Sequence, residues 1–239
     1  MKPQLQVILT PALAHLYNMK DSCVVVVDVL RATTSMCYAL HNGAKCIIPV
    51  QEIEEAELYR QKGFSVAAER NGVQLEGYAF GNSPFSFSRE SVEGKEIVFT
   101  TTNGTRCIQM AKDAGAKEIL IGSFLNLDAL TKKLRASDLS VFIFCAGWKD
   151  KFNLEDTLFA GALIENLREH FSIEDDSAEA ASDLFNIAKN NLEEYVQKAS
   201  HSKRFDRLGI LGDAPFCVKL NITSVIPQLI GDKLTVVID

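Results

Sequence analysis

Hydrophobic positions along the chain fall in short, dense blocks rather than in strict alternation. The blocks are LQVIL at 4–8, CVVVVDV at 23–29, KCIIPV at 45–50, FSVAAE at 64–69, KEIVFT at 95–100, KEILIG at 117–122, LSVFIFCAG at 139–147 and LTVVI at 234–238. Several are apolar throughout, the pattern of strands buried on both faces in a largely parallel sheet. Between them, apolar residues at helical spacing predict helices over 33–41, 53–62, 105–114, 127–134 and 154–170. Strand and helix take turns, so the expected class is α/β, a three-layer α/β/α fold with helices on both sheet faces.

Beyond residue 173 the pattern changes. The stretch 173–203 is acidic at its front and rich in helix formers, which predicts one or two surface helices. Asp175 and Asp176 stand where a helix start favours negative charge. From 208 onward there are turn signals and a short strand or helix that the pattern does not resolve.

Residues 24–50 lie over 96–122 without a gap, at an offset of 72 residues. Gly43-Ala44-Lys45 falls on Gly115-Ala116-Lys117, and Thr33 on Thr105. Both copies read strand, polar loop, helix, strand. The expectation is a single domain over 1–239 built from two related halves by internal duplication. The overlay also changes the reading of VFTTTNGTR at 98–106. Asn-Gly between apolar runs is a hairpin signal, but the overlay puts it at a strand-to-helix junction, with Thr105 as candidate N-cap. Strand carboxyl ends beside helix N-termini are where open α/β sheets bind ligands, and the free N–H groups there favour anions.

Composition narrows the partners. The 239 residues are 47% hydrophobic and 23% charged, with net charge −6. No basic field would draw nucleic acid or an anionic membrane. No apolar run reaches the roughly 18–20 residues of a membrane span, and the N-terminus is too broken by Pro and polar residues for a signal peptide. Six cysteines without a C-x-x-C pair read as reduced, mostly buried thiols of a cytoplasmic protein. A homodimer is expected only as the commonest oligomer.

Acids, hydroxyls and arginines gather at the strand ends. VVVVDVLRATTS places Asp28, Arg31, Thr33 and Thr34 after one strand; AAERNG places Glu69 and Arg70 after another. FGNSP contributes Asn82 and Ser83, TTTNGT contributes Thr101, Thr102, Asn103, Gly104 and Thr105, and GSFLN contributes Ser123. Glu155 and Asp156 open a helix, where acids usually just answer the dipole. An acid ending a buried strand is expensive unless paired, so Asp28 is either a cap, a partner for Arg31, or functional. There is no P-loop, no zinc spacing among the four histidines, and no D-x-D at Asp28. What is left suits a Mg²⁺-assisted reaction on an anionic ester.

Taken in order, VVVDVLRATTS, GAKCIIPV, AAERNG, FGNSP, VFTTTNGT, GSFLN, FCAG and FNLEDTLFAGALI resemble the 2-phosphosulfolactate phosphatase family, the Mg²⁺-dependent acid phosphatases of coenzyme M biosynthesis. Each motif is weak alone; together they are specific. The resemblance implies hydrolysis of phosphate esters of 2-hydroxycarboxylic acids, (2R)-2-phospho-3-sulfolactate giving 3-sulfolactate and phosphate. The expected metal ligands are Asp28, Glu69 and Asp156, with Glu155 as substitute. Arg31 and Arg70 would hold the substrate's acid groups. Thr33, Thr34, Asn82, Ser83, Ser123 and the 101–105 loop would complete the pocket. Asp28 and Arg31 are the expected catalytic residues. Two other readings stay open: a non-catalytic binder of anionic metabolites, and an enzyme with another phosphorylated hydroxy acid or another transfer chemistry.

Overall fold

The computed structural model describes residues 2–70, 72–210 and 212–236. Strands and helices follow in the order β1 (Leu5–Ile8), β2 (Cys23–Val27), α1 (Ala32–His41), β3 (Cys46–Val50), α2 (Ile53–Gln61), β4 (Ser65–Arg70), β5 (Val73–Gln74), α3 (Arg89–Val92), β6 (Glu96–Thr100), α4 (Gly104–Asp113), β7 (Glu118–Gly122), α5 (Leu127–Arg135), β8 (Val141–Cys145), α6 (Leu154–Leu167), α7 (Asp176–Ala188), α8 (Leu192–Val196), α9 (Ser200–Arg207), α10 (Asp213–Cys217), β9 (Pro227–Ile230) and β10 (Lys233–Val236). The expected strands and helices all form, with shifted ends. The last expected strand forms as β10 up to Val236, and its final two residues lie outside the described residues.

One ten-stranded sheet runs in the order β1-β8-β2-β7-β9-β10-β3-β6-β4-β5. Its pairs are parallel within β1-β8-β2-β7 and within β3-β6-β4. The antiparallel hairpin β9-β10 joins the two blocks by antiparallel pairs to β7 and β3. Strand β2 shows why the blocks are apolar throughout. Cys23, Val25 and Val27 pack into one core, Val24 and Val26 into the other, and all five are fully buried. Helices α5, α6 and α7 cover the first face; α1 and α4 cover the second. All six cysteines are free and buried, as expected.

The overlaid segments fold as β2-α1-β3 and β6-α4-β7. Any two β-α-β units share that order, so it does not by itself establish a duplication. The Asn103-Gly104 pair does lie between a strand and a helix, not in a hairpin. Thr105 is not the N-cap: the cap position is Asn103, and the Thr105 amide donates to Thr101 Oγ1 at 3.4 Å. Helix α4 starts at Gly104, the position that overlays Ala32 at the start of α1, and glycine there lets it press against α1. A Cβ there would stand 3.0 Å from Ala32 Cβ and 3.1 Å from Asp28 Oδ2. The loops after β2 and β6 therefore meet.

Asp175 and Asp176 do stand at a helix start, and Asp175 Oδ2 also accepts the Val7 amide at 2.8 Å, tying α7 to the edge strand β1. Helix α7 crosses α6 at Gly161, where a Cβ would fall 2.0 Å from the Ala181 carbonyl. That close crossing anchors the segment which then carries α8, α9 and α10 toward the loops of the sheet. No described helix is long and apolar enough to cross a membrane.

Candidate active site

The loops after β2, β4 and β6 border a polar cleft of about 410 Å³ counted out to its mouth. Asp28, Arg31, Glu69, Asn82, Thr101, Thr102 and Asn103 line it, all from the expected set. Leu30, Gly72, Trp148, His201, Arg204 and Phe205 line it as well.

Asp28 forms the floor. Its amide donates to Thr33 Oγ1 at 3.0 Å, and its carbonyl accepts the Thr33 amide at 3.0 Å, which locks the turn into α1. Burial pushes its carboxyl up to about 6; the nearby His201 charge lowers it, while Glu69 and Glu155 raise it and the Ala32 amide lowers it. Four acids crowd this region, and unlike-charged partners do not fully offset them. Glu69 is held by loop donors: its Oε2 accepts the Gly72 amide at 2.5 Å, and its Oε1 accepts the Thr102 hydroxyl at 3.1 Å.

Asp156 is fully buried and does not line the cleft. It accepts the Val29 amide at 2.8 Å, the Gly147 amide at 3.1 Å and the Asn153 side-chain amide at 2.8 Å. Asp156 thus stitches the loop after β2 to the loop after β8. Burial first, then the charges of Asp28 and Glu155, hold its carboxyl well above the usual range. Glu155 turns the other way and pairs with His201 Nδ1. Burial alone would lower His201, but the Glu155 hydrogen bond and the Glu155 and Asp28 charges leave it above its ordinary value.

Arg31 is 3% exposed. One guanidinium nitrogen donates to Asp213 Oδ2 at 2.6 Å and another to the Gly72 carbonyl at 2.7 Å, while the plane lies 4.7 Å from the Phe205 ring centre. Ser83 donates to the other Asp213 oxygen at 2.9 Å. Arg31 is therefore largely a clamp between segments, with its Nε still unpartnered.

Other expected residues turn away from the cleft. Thr34 donates to the Val29 carbonyl at 2.9 Å and lies 3.2 Å from Ser123 Oγ, and Ser123 caps a short turn through the Leu125 amide. Arg70 donates to the Glu69 carbonyl at 2.8 Å and toward Thr100. Thr105 donates to the Thr101 carbonyl at 3.1 Å. Thr33, Thr34, Arg70, Ser83, Gly104, Thr105, Ser123, Glu155 and Asp156 shape the cleft from behind rather than lining it.

Four buried side-chain atoms among the described residues have no hydrogen-bond partner: Thr10 Oγ1, Arg31 Nε, Asn82 Oδ1 and Glu155 Oε2. Two of the four, Arg31 Nε and Asn82 Oδ1, belong to residues that line the cleft. Each costs about 1–3 kcal/mol if left unmade. One is a donor and the other an oxygen acceptor. The acids fit Mg²⁺ with one or two carboxylates and retained waters. Asp28, Glu69 and Asp156 are not gathered into a single cage: no cluster of three His, Cys, Asp or Glu positioned for an ion occurs among the described residues.

His201 falls in the stretch expected to form surface helices, Arg204 and Phe205 just past it, and Asp213 in the tail that the pattern does not resolve. Their one visible signal is a basic, aromatic helix, HSKRF, after a long acidic stretch. The sequence offered Asp28 as a partner for Arg31; the structure pairs Arg31 with Asp213 instead, 182 residues away.

Residues 8–232 match the family described as 2-phosphosulpholactate phosphatase. The chain is 40% identical over 217 residues to a "Probable 2-phosphosulfolactate phosphatase" of Caldanaerobacter subterraneus subsp. tengcongensis, covering 89% of each chain. It is 40% identical over 207 residues to one of Thermotoga petrophila, covering 87% of this chain and 88% of that one. Against one of Clostridium tetani it is 37% identical over 215 residues, covering 88% and 91%.

Proposed function

The chain belongs to the 2-phosphosulpholactate phosphatase family, and from that premise we propose that it is a phosphoric monoester hydrolase acting on 2-phospho-3-sulfolactate with the help of Mg²⁺. The observation that supports the site assignment is the polar cleft over Asp28, lined by Glu69, Arg31, Asn82 and residues 101–103 from the loops after β2, β4 and β6.

Asp28 and Glu69, the two acids that line the cleft, would hold Mg²⁺ with retained waters. Bound there, the ion would polarise the phosphoryl group and neutralise its charge. The chain's own residues do the rest. Asp28 lies on the floor of the cleft, where a carboxylate oxygen not engaged by the ion would serve as general base. It takes a proton from the attacking water as the new P–O bond forms. The ester P–O bond breaks, the leaving oxygen regains that proton, and phosphate and the hydroxy acid depart. The 101–103 loop, which lines the cleft, would orient the phosphoryl oxygens. Asp156 keeps the loops after β2 and β8 in register, so that Asp28 points into the cleft.

A panel of 2-phosphohydroxy acids assayed for phosphate release tests the proposal. Tight binding without release would make the protein a binder, and release only with an acceptor alcohol would make it a transferase. Single turnover in ¹⁸O water tests the base: label first appearing in the Asp28 carboxylate would replace it with a protein nucleophile.

A further inference from the structure

One wall of the cleft is an unbroken row of cations and aromatic rings. Arg204 lies 5.1 Å from the Trp148 ring centre, and Trp148 meets His201 edge-on at 5.2 Å. His201 stacks on Phe205 at 6.3 Å with only 6° between the planes, and Phe205 supports Arg31 at 4.7 Å. All five residues line the cleft. The acids Asp28 and Glu69 line the same cleft.

We propose that this wall reads the acid groups of the substrate that do not react, and that Arg204 at its outer end selects the sulfonate. This rests on the phosphatase reading above. If the phosphoryl group lies over Asp28, the carboxylate sits one bond from the phosphate-bearing carbon and the sulfonate two. The longer arm reaches farther toward the mouth. Arg31 is buried near the floor, whereas Arg204 is half-buried at the rim. A guanidinium packed over an indole is restrained, so less freedom is lost when an anion binds. A sulfonate offers three oxygens to such a fork, and the apolar rings beside it weaken the competition from water.

The test compares 2-phosphosulfolactate with 2-phospholactate, which lacks the sulfonate, on wild type and Arg204→Gln. The expected result is a loss of roughly 10–100-fold in kcat/KM for the sulfonated ester, the size of one charge-assisted contact, with less than about threefold change for phospholactate. Arg204→Lys keeps the charge without the plane and should fall between. An equal loss on both esters would overturn the proposal, as would no loss on either. Calorimetry with 3-sulfolactate and with lactate reads the same wall without turnover. Wild type should prefer the sulfonated acid and Arg204→Gln should not; equal preference in both proteins overturns the proposal. Wild type that shows this preference yet releases no phosphate would refute the phosphatase reading alone.

Discussion

Asp28→Asn separates what this site does from what it costs the fold. Asp28 is buried and crowded by Glu69 and Glu155, so its carboxyl rises from the ordinary 3.8 to about 6. An acid raised on folding binds more protons in the native state than in the unfolded one between those two values. Stability is therefore lost as pH rises through that window, and the whole cost is present above pH 6. The rise corresponds to about 3 kcal/mol. Asparagine is nearly the same size, carries no charge, and keeps an oxygen to accept the Ala32 amide. In EDTA at pH 7.5, Asp28→Asn should be more stable than wild type by about 1–3 kcal/mol, or roughly 3–10 °C in Tm for a chain of this length. The gain should shrink as pH falls from 6 toward 4 and vanish below 4. Adding Mg²⁺ should raise the wild-type Tm and leave the variant's unchanged, while phosphatase activity in the variant falls by at least about a hundredfold. Urea or thermal unfolding across pH 4–8 measures all of this. A variant less stable than wild type at pH 7.5, or a gain independent of pH, would refute the account of Asp28 as a destabilised, functional acid.

Three further outcomes follow from the same geometry. Removing divalent metal with EDTA should abolish phosphate release and Mg²⁺ should restore it; full activity in EDTA would remove the metal from the mechanism. Gly104→Ala places a Cβ 3.0 Å from Ala32 and 3.1 Å from Asp28 Oδ2, so the loops must part: kcat should drop about tenfold or more, with a stability change within about 1–3 kcal/mol, read by kinetics beside thermal melts. Asp213→Asn breaks a buried ion pair whose partner Arg31 stays buried, and a loss of about 3–5 kcal/mol is expected by urea unfolding; a neutral change would show that Ser83 and Gly72 hold that corner without the charge.

Much of the frame was legible because local pattern and tertiary demand agree. A strand buried on both faces must be apolar at every position, and β2, β7 and β8 announce themselves so. The helices between them follow from spacing. The motifs also found the loops, since acids and hydroxyls at strand ends are costly anywhere else. Roles within those loops were not legible. Sequence cannot say which hydroxyl of a threonine pair turns inward, and Thr33 proves to brace the Asp28 turn while Thr102 secures Glu69 in the cleft. Nor does a helix-start acid reveal its target: Glu155 pairs with His201, and Asp156 binds two loop amides.

Sequence by itself therefore determined the layered α/β frame, the family, and the strand-end loops that carry chemistry, because each depends on short stretches whose burial or motif is read locally. Only the tertiary structure decided which groups meet. The pairing of Arg31 with Asp213, of Glu155 with His201, and of Arg204 with Trp148 joins residues tens to nearly two hundred positions apart. Such contacts arise from packing α6 against α7 and carrying the last helices over the sheet's loops, and no local pattern encodes that path.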